Sequence, residues 1–176
     1  IKNYLKYPVV IKPTNEGSSL DVYICKNKAA LSNKLKKMSN YGEVLIEKFI
    51  PGREIQVAIM GNKILGSIEL KPKRKFYDYK AKYNLNAKTE HIIPVNLSKK
   101  NNDKIRKIAL KAHKLLNCKG ITRSDFKFYK DKFYLLELNT QPGMTDLSLV
   151  PEIAFHQGIN FNSLINWMIK DASKNR

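Results

Sequence analysis

The chain has 176 residues, 43% of them hydrophobic, and a formal net charge of +18, which allows one sizeable core or two small ones. No run approaches a membrane span, and the opening IKNYLKYPVVIKPT lacks an apolar signal region ending in small residues, so the expectation is a cytoplasmic protein without membrane attachment. The charge invites a nucleic-acid reading, but 28 of the 33 basic residues are Lys, they are scattered, and none interleave with aromatics as in an RNA-binding module. Nucleic acid is therefore set aside as a partner, while a small polyanion such as a nucleotide stays open.

YPVVIKPT (7–14) is a β-branched run entered after a proline and reads as a strand. NEGSSLD (15–21) is a loop by composition, and DVYICK reads as a second strand. Residues 27–40 space apolar side chains at 31, 35 and 38, which predicts a helix capped near Asn27. GEVLIEKFI is a strand stopped by Pro51-Gly52. REIQVAIMGNKILGSIEL alternates about Gly61-Asn62, a hairpin pattern. Residues 71–94 are polar, basic and long for a connection, as functional or disordered loops are. Ile105, Ile108, Ala109, Ala112, Leu115 and Leu116 recur at helical spacing, which predicts an amphipathic helix over 99–120 closed by Gly120. A hairpin follows over 121–139, then a Gly-Pro loop. The last helix spans roughly 162–170, marked by Asn160 or Asn162, and buries Leu164, Ile165 and Met168. Hairpins embedded among helices argue for an α+β fold. Cys25 and Cys118 lie far apart among apolar residues and read as two reduced core thiols.

The chemistry concentrates in GITRSDFKFYKDKFYLLELNT. A three-residue loop Lys130-Asp131-Lys132 would set Tyr129 opposite Phe133, Asp125 opposite Glu137 and Arg123 opposite Asn139. Residues two apart on a strand share a face, so Arg123, Asp125, Glu137 and Asn139 would form one polar cluster. Phe126, Phe128, Tyr134, Leu136 and Leu138 would supply the core. Two carboxylates about 5 Å apart repel by about 3 kcal/mol at an effective dielectric of about 20. A shared proton, a divalent cation or a solvated face salted by Arg123 would each relieve that. Two carboxylates and an amide oxygen are hard donors suited to Mg²⁺ or Mn²⁺ rather than zinc.

Other segments suit phosphate and nucleoside binding. Lys12 ends a buried strand before a Gly-Ser loop whose backbone N–H groups could cradle an anion, although it is not a Walker A sequence. Glu47, Lys48 and Glu54 sit around Pro51-Gly52 and read either as an edge-strand ion pair or as a nucleoside pocket. FYDYKAKY brings Tyr79, Lys80, Lys82 and Tyr83 into one loop, solvated or closing as a lid over phosphates. His91, His113 and His156 have no ligand spacing and read as non-catalytic.

In this order, VVIKPTNEGSS, VLIEKFIPGRE, FYDYKAKY, CKGITRSDF and LLELNTQPGMTDLSLVP resemble the ATP-grasp ligases, and within them the D-alanine–D-alanine ligases. The resemblance covers nearly the whole chain. It implies part of a central ATP-binding subdomain over 1–54 and a C-terminal catalytic subdomain over 55–176. It implies ATP as the nucleotide, two Mg²⁺ or Mn²⁺ ions, D-alanine as substrate and a homodimer. It implies Lys12 on phosphate, Glu47, Lys48 and Glu54 on adenine and ribose, and Lys82 reaching the phosphates from the loop. Asp125, Glu137 and Asn139 would hold the metals, and Arg123 and the Gly143 N–H would stabilise an oxyanion. Ser148 and Leu149 would meet the second substrate's carboxylate, with Ser18 and Tyr83 hydrogen-bonding near the substrates. Tyr83 favours dipeptide over depsipeptide formation. Members of the family are longer, so the sequence is expected to start inside the central domain, without the N-terminal domain, and to have little activity alone.

Overall fold

Alternation along Val9–Pro13 (β1) sends Val9 and Ile11 to one face, where both are fully buried. In the computed structural model, which describes residues 5–17, 19–72, 89–145 and 148–172, β1 is the central strand of a three-stranded antiparallel sheet. Its neighbours are Tyr23–Cys25 (β2) and Val44–Lys48 (β3). Helix Lys28–Lys37 (α1) begins where Asn27 accepts the Ala30 N–H at 2.9 Å. The core here joins Val9 and Ile11 to Cys25, Leu31 and Met38, with Val44 and Ile46 packed against them. A short 3₁₀ turn, Ser39–Tyr41, connects α1 to β3. This sheet and its helix belong to one of two compact units, which holds the residues up to Ile50 together with Pro72 and Thr89; the other comprises Pro51–Lys71 and the residues from Glu90 onward.

The second unit is a five-stranded antiparallel sheet in the order β6-β5-β4-β7-β8. Its strands are Arg53–Met60 (β4), Lys63–Lys71 (β5), Glu90–Ile92 (β6), Ile121–Tyr129 (β7) and Lys132–Asn139 (β8). On one face Ile55, Val57 and Ile59 are fully buried with Phe126, under Ile105 and Ala109 of helix Lys99–Leu115 (α2). Each such aliphatic side chain contributes about 1.5–3 kcal/mol by burial. Helix Leu149–His156 (α3) crosses the other face over β5. It approaches so closely that a Cβ on Gly66 would stand 2.6 Å from Ile153 Cγ2, so only glycine fits there. Helix Phe161–Ala172 (α4) packs on α3, and Asn160, capping it, accepts the Ser163 N–H at 2.8 Å. Leu164 is fully buried, and Ile165 and Met168 are half-buried.

Several expectations are corrected. Helix α2 is closed by Asn117 rather than Gly120. Asn117 has φ +50°, its N–H reaches Lys114 O at 3.0 Å and the Cys118 N–H reaches His113 O at 3.0 Å, the paired bonds of a Schellman end. Asparagine tolerates the left-handed region well enough to serve there. The Gly-Pro loop after β8 is shorter than expected, because α3 begins at Leu149 with Pro151 inside its first turn, where no N–H is needed. The expected loop over 71–94 ends in strand β6; residues 73–88 lie outside those described. Cys25 is a core thiol as expected, whereas Cys118 is only half-buried in the turn after α2.

The β7–β8 hairpin departs most from expectation. The loop has two residues, Lys130 at φ +48° and Asp131 at φ +57°, both left-handed as a type I′ turn requires. Tyr129 pairs with Lys132 and Phe128 with Phe133, so Phe133, not Tyr134, joins Phe126 and Phe128 in the core. Phe133 stacks on Phe128 with centroids 4.5 Å apart. The register then shifts by one residue at a β-bulge between the Phe126–Leu135 and Asp125–Glu137 pairs. Beyond it Asp125 pairs with Glu137 and Arg123 with Asn139.

Candidate active site

Cross-strand pairing lines up three rows on the face of the five-stranded sheet opposite α2. Leu70, Glu54, Lys127 and Tyr134 form one row. Ile68, Gln56, Asp125 and Glu137 form the second, and Gly66, Ala58, Arg123 and Asn139 the third. Directly paired residues share a face. The β5 end of these rows is apolar and lies beneath α3; the β7–β8 end is charged.

The charges are organised. Arg123 Nε donates to Asp125 Oδ1 at 2.7 Å and its Nη2 to Oδ2 at 2.9 Å, a two-pronged pair whose members are only 15% and 6% exposed. Lys127 Nζ donates to Glu54 Oε2 at 2.9 Å, also largely buried. Arg123 therefore offsets the repulsion that Asp125 and Glu137 would feel as direct neighbours. A carboxylate oxygen has two lone pairs, so one arginine bond on each does not exhaust what Asp125 can accept. The Asn139 amide nitrogen is buried with no hydrogen-bond partner, and so is Gln56 Oε1. An amide left incomplete beside two carboxylates suits a site that is completed by a ligand.

Among the described residues no three His, Cys, Asp or Glu side chains come together as a metal site. The protein would offer a cation two carboxylates and one amide oxygen. That set fits Mg²⁺, which takes one or two carboxylates and draws its remaining ligands from water and phosphate.

After β8 the chain folds back on itself. The Thr145 N–H donates to Ser148 Oγ at 2.9 Å, the two hydroxyls lie 3.0 Å apart, and the Ser148 N–H donates to Thr145 O at 2.9 Å. A Cβ on Gly143 would meet Ser148 Oγ at 2.8 Å, so glycine is what lets this turn close. Gly143, Ser148 and the buried Leu149 are thereby brought together at the start of α3.

In the first unit Lys12 and Glu47 form an ion pair at 3.1 Å on the face away from α1. Lys48, the next residue of β3, leaves the opposite face and is exposed. Ser18, Lys82 and Tyr83, with Tyr79 and Lys80, lie outside the described residues. Two residues of the face went unread in the sequence, Lys127 and Gln56. Lys127 was legible as the i+2 neighbour of Asp125. Gln56 became visible only through its pairing with Asp125.

A family model described as D-ala D-ala ligase C-terminus matches residues 1–170. The chain belongs to the D-alanine–D-alanine ligase family. It is 67% identical over 176 residues, all of this chain and 58% of the relative, to the D-alanine–D-alanine ligase of Pelagibacter ubique (strain HTCC1062). It is 41% identical to that of Rhodospirillum rubrum, over 94% of this chain and 55% of the relative. Among solved structures it matches the D-alanine–D-alanine ligase of Bacillus anthracis with a TM-score of 0.83 and 34% identity, over 94% of this chain and 54% of that one. The same ligase complexed with ATP matches with a TM-score of 0.80 and 29% identity, over 94% and 52%. The chain thus spans somewhat over half the length of these relatives. Its antiparallel sheets with packed helices are the α+β, ATP-grasp architecture of the family.

Proposed function

We propose that the protein joins two D-alanines with ATP, through an acyl phosphate, to make D-alanyl-D-alanine for peptidoglycan precursors. The observation that carries this reading is the charged sheet face of Glu54, Lys127, Asp125, Arg123, Glu137 and Asn139 in a chain of this family. The first D-alanine's carboxylate oxygen attacks the γ-phosphorus of ATP, giving an acyl phosphate and ADP. The second D-alanine's free amine then attacks the acyl carbon, the C–N bond forms with an oxyanion on that carbon, and collapse of this adduct expels phosphate while the nitrogen gives up a proton to phosphate or solvent. Such chemistry needs positioning and charge neutralisation more than covalent help.

In this reading Lys12 holds phosphate, and Glu47, Lys48 and Glu54 receive the nucleoside, Glu54 oriented by Lys127. Asp125, Glu137 and Asn139 would hold one or two Mg²⁺ (or Mn²⁺) ions, which supply charge neutralisation at the phosphates. Arg123 stays protonated while holding Asp125, and with the Gly143 N–H it faces the oxyanion that forms at the acyl carbon. Ser148 and the Leu149 N–H, at the free amide end of α3, receive the second substrate's carboxylate. By the resemblance, Lys82 would meet the phosphates, and Ser18 and Tyr83 would hydrogen-bond near the substrates. The protein works as a cytoplasmic homodimer in this reading; among the described residues no helix is long and apolar enough to cross a membrane.

The test is phosphate release by the full-length protein, the longer chain expected from the length of its relatives, with D-alanine, L-alanine or D-lactate as the acceptor. D-alanine is expected to support turnover and the other two much less. Glu137→Gln should slow it by about 10²–10³-fold, the scale of losing one preorganised electrostatic group. Unchanged turnover in Glu137→Gln would overturn the metal assignment, and turnover with another acceptor alone would overturn the substrate.

A further inference from the structure

The Gly-Ser loop between β1 and β2 takes an unusual path. Ser19 and Asp21, neither a glycine, both adopt left-handed backbone, with φ +60° and +50°. Aspartate, like asparagine, tolerates this region, whereas serine adopts it less readily and is kept there by its surroundings, as residues of ligand-binding loops often are. The contacts are present. Both the Tyr23 and Tyr41 hydroxyls donate to the Asp21 carboxylate, Tyr23 to Oδ1 at 2.5 Å and Tyr41 to Oδ2. The tyrosines come from different elements, Tyr23 from the start of β2 and Tyr41 from the end of the 3₁₀ turn. Lys34 of α1 places its ammonium 3.5 Å from the centre of the Tyr23 ring. The loop's exit is thus tied to β2, to α1 and to the segment entering β3. At its entry, the Leu20 N–H closes a turn onto Gly17 O at 2.9 Å.

We infer that Asp21, Tyr23 and Tyr41 form a clamp that holds the Gly-Ser loop in the shape that receives the nucleotide's phosphates, making them positioning residues. The phosphate role rests on the function proposed above; the clamp itself does not. The carboxylate accepts from two phenols at once, one on each oxygen. The two tyrosines hold the Asp21 carboxyl below its ordinary value, and the carboxylate pushes the Tyr41 hydroxyl up to about 12. The clamp therefore keeps one protonation state across the neutral range, and its hold on the loop is independent of pH there.

Two measurements test it. Hydrogen exchange of loop amides 15–21 is compared in the wild type, Tyr41→Phe, Tyr23→Phe/Tyr41→Phe, Asp21→Ala and Asp21→Asn. Loss of one hydrogen bond to a charged group should speed loop exchange by about tenfold or more, with β1 and β3 unchanged. Asp21→Asn, whose amide oxygen still accepts a hydroxyl, should retain part of the protection. The Tyr→Phe variants keep their rings, so they remain informative if Asp21→Ala does not fold. Unchanged loop exchange in both Tyr→Phe variants would overturn the clamp. In turnover assays KM for ATP should rise about tenfold in Tyr41→Phe, with kcat within about twofold, as expected when ground-state positioning alone is lost. A fall in kcat with KM unchanged would overturn the phosphate role. If the full-length wild type does not consume ATP with D-alanine, the functional proposal fails, and the exchange measurement alone decides the clamp.

Discussion

Lys127 carries no substrate in the proposed mechanism, yet it is the partner that makes Glu54 tolerable where it stands. Both side chains are largely buried, at 15% and 12% exposed. Removing one member of a buried ion pair strands the other charge, at a typical cost of about 3–5 kcal/mol. Lys127→Met should therefore destabilise the protein by that much in urea titrations. Adding Glu54→Gln to it should recover most of the loss, since two neutral side chains leave no stranded charge. The same argument separates Arg123 from an ordinary surface arginine. Its two bonds to Asp125 fix a planar cation beside the Glu137 carboxylate. Of the three ways to relieve the Asp125–Glu137 repulsion that the sequence left open, the geometry supplies the arginine directly and leaves donors suited to a cation.

The hairpin β7–β8 shows how one element decides the site. A type I′ turn favours Asn-Gly, yet here Lys and Asp occupy the two left-handed positions. Lys130→Asn with Asp131→Gly should stabilise the protein by about 0.5–1 kcal/mol, read as a higher melting temperature, because both replacements accept positive φ more readily. Turnover should stay unchanged, since the turn lies at the far end of the ribbon from Arg123. The polar cluster was legible because period-2 alternation and the spacing of Arg123, Asp125, Glu137 and Asn139 are written in the chain. The route to it was not. A hidden bulge and a two-residue loop give the same pairs at Asp125 and Arg123 as a bulge-free three-residue loop, and differ in every pair nearer the turn, which brings Phe133 to the core face and Tyr134 beside Lys127. Helix α3 is not legible in the sequence for a similar reason: Pro151 in its first turn looks like a helix breaker unless the start of the helix is already known.

At the scale of the molecule, β7 is held to α2 by a buried polar contact. His113, 2% exposed on α2, places Nδ1 2.8 Å from the Thr122 hydroxyl, one residue before Arg123. Burial, with Lys119 and Lys114 nearby, lowers its pKa below the ordinary 6.5. Between that lowered value and 6.5 the unfolded chain binds the proton and the folded protein does not. Stability is therefore complete above about 6.5 and falls as pH drops through the unfolded value toward the folded one. Melting temperatures measured between pH 7.5 and about pH 5 should decline in the wild type and decline less in His113→Gln, which cannot be protonated. The sequence located His113 on the helix but could not show that it faces inward onto β7, because burial depends on where α2 lands. The same limit held for Gln56, whose place beside Asp125 is set by pairing between strands distant in the chain.

The bulge in β8 has a further consequence. Between its turn and Glu137 the strand carries one residue more than its partner can match. Loss of a single residue from Leu135–Leu136 can be absorbed by straightening the ribbon, and Asp125 still meets Glu137. Gain of one residue has no such slack to draw on, and it would turn Glu137 inward onto the greasy side of the sheet. Insertions and deletions in this short span are therefore unequal in what they threaten: the protein can be shortened there without losing its acidic pair, but not lengthened.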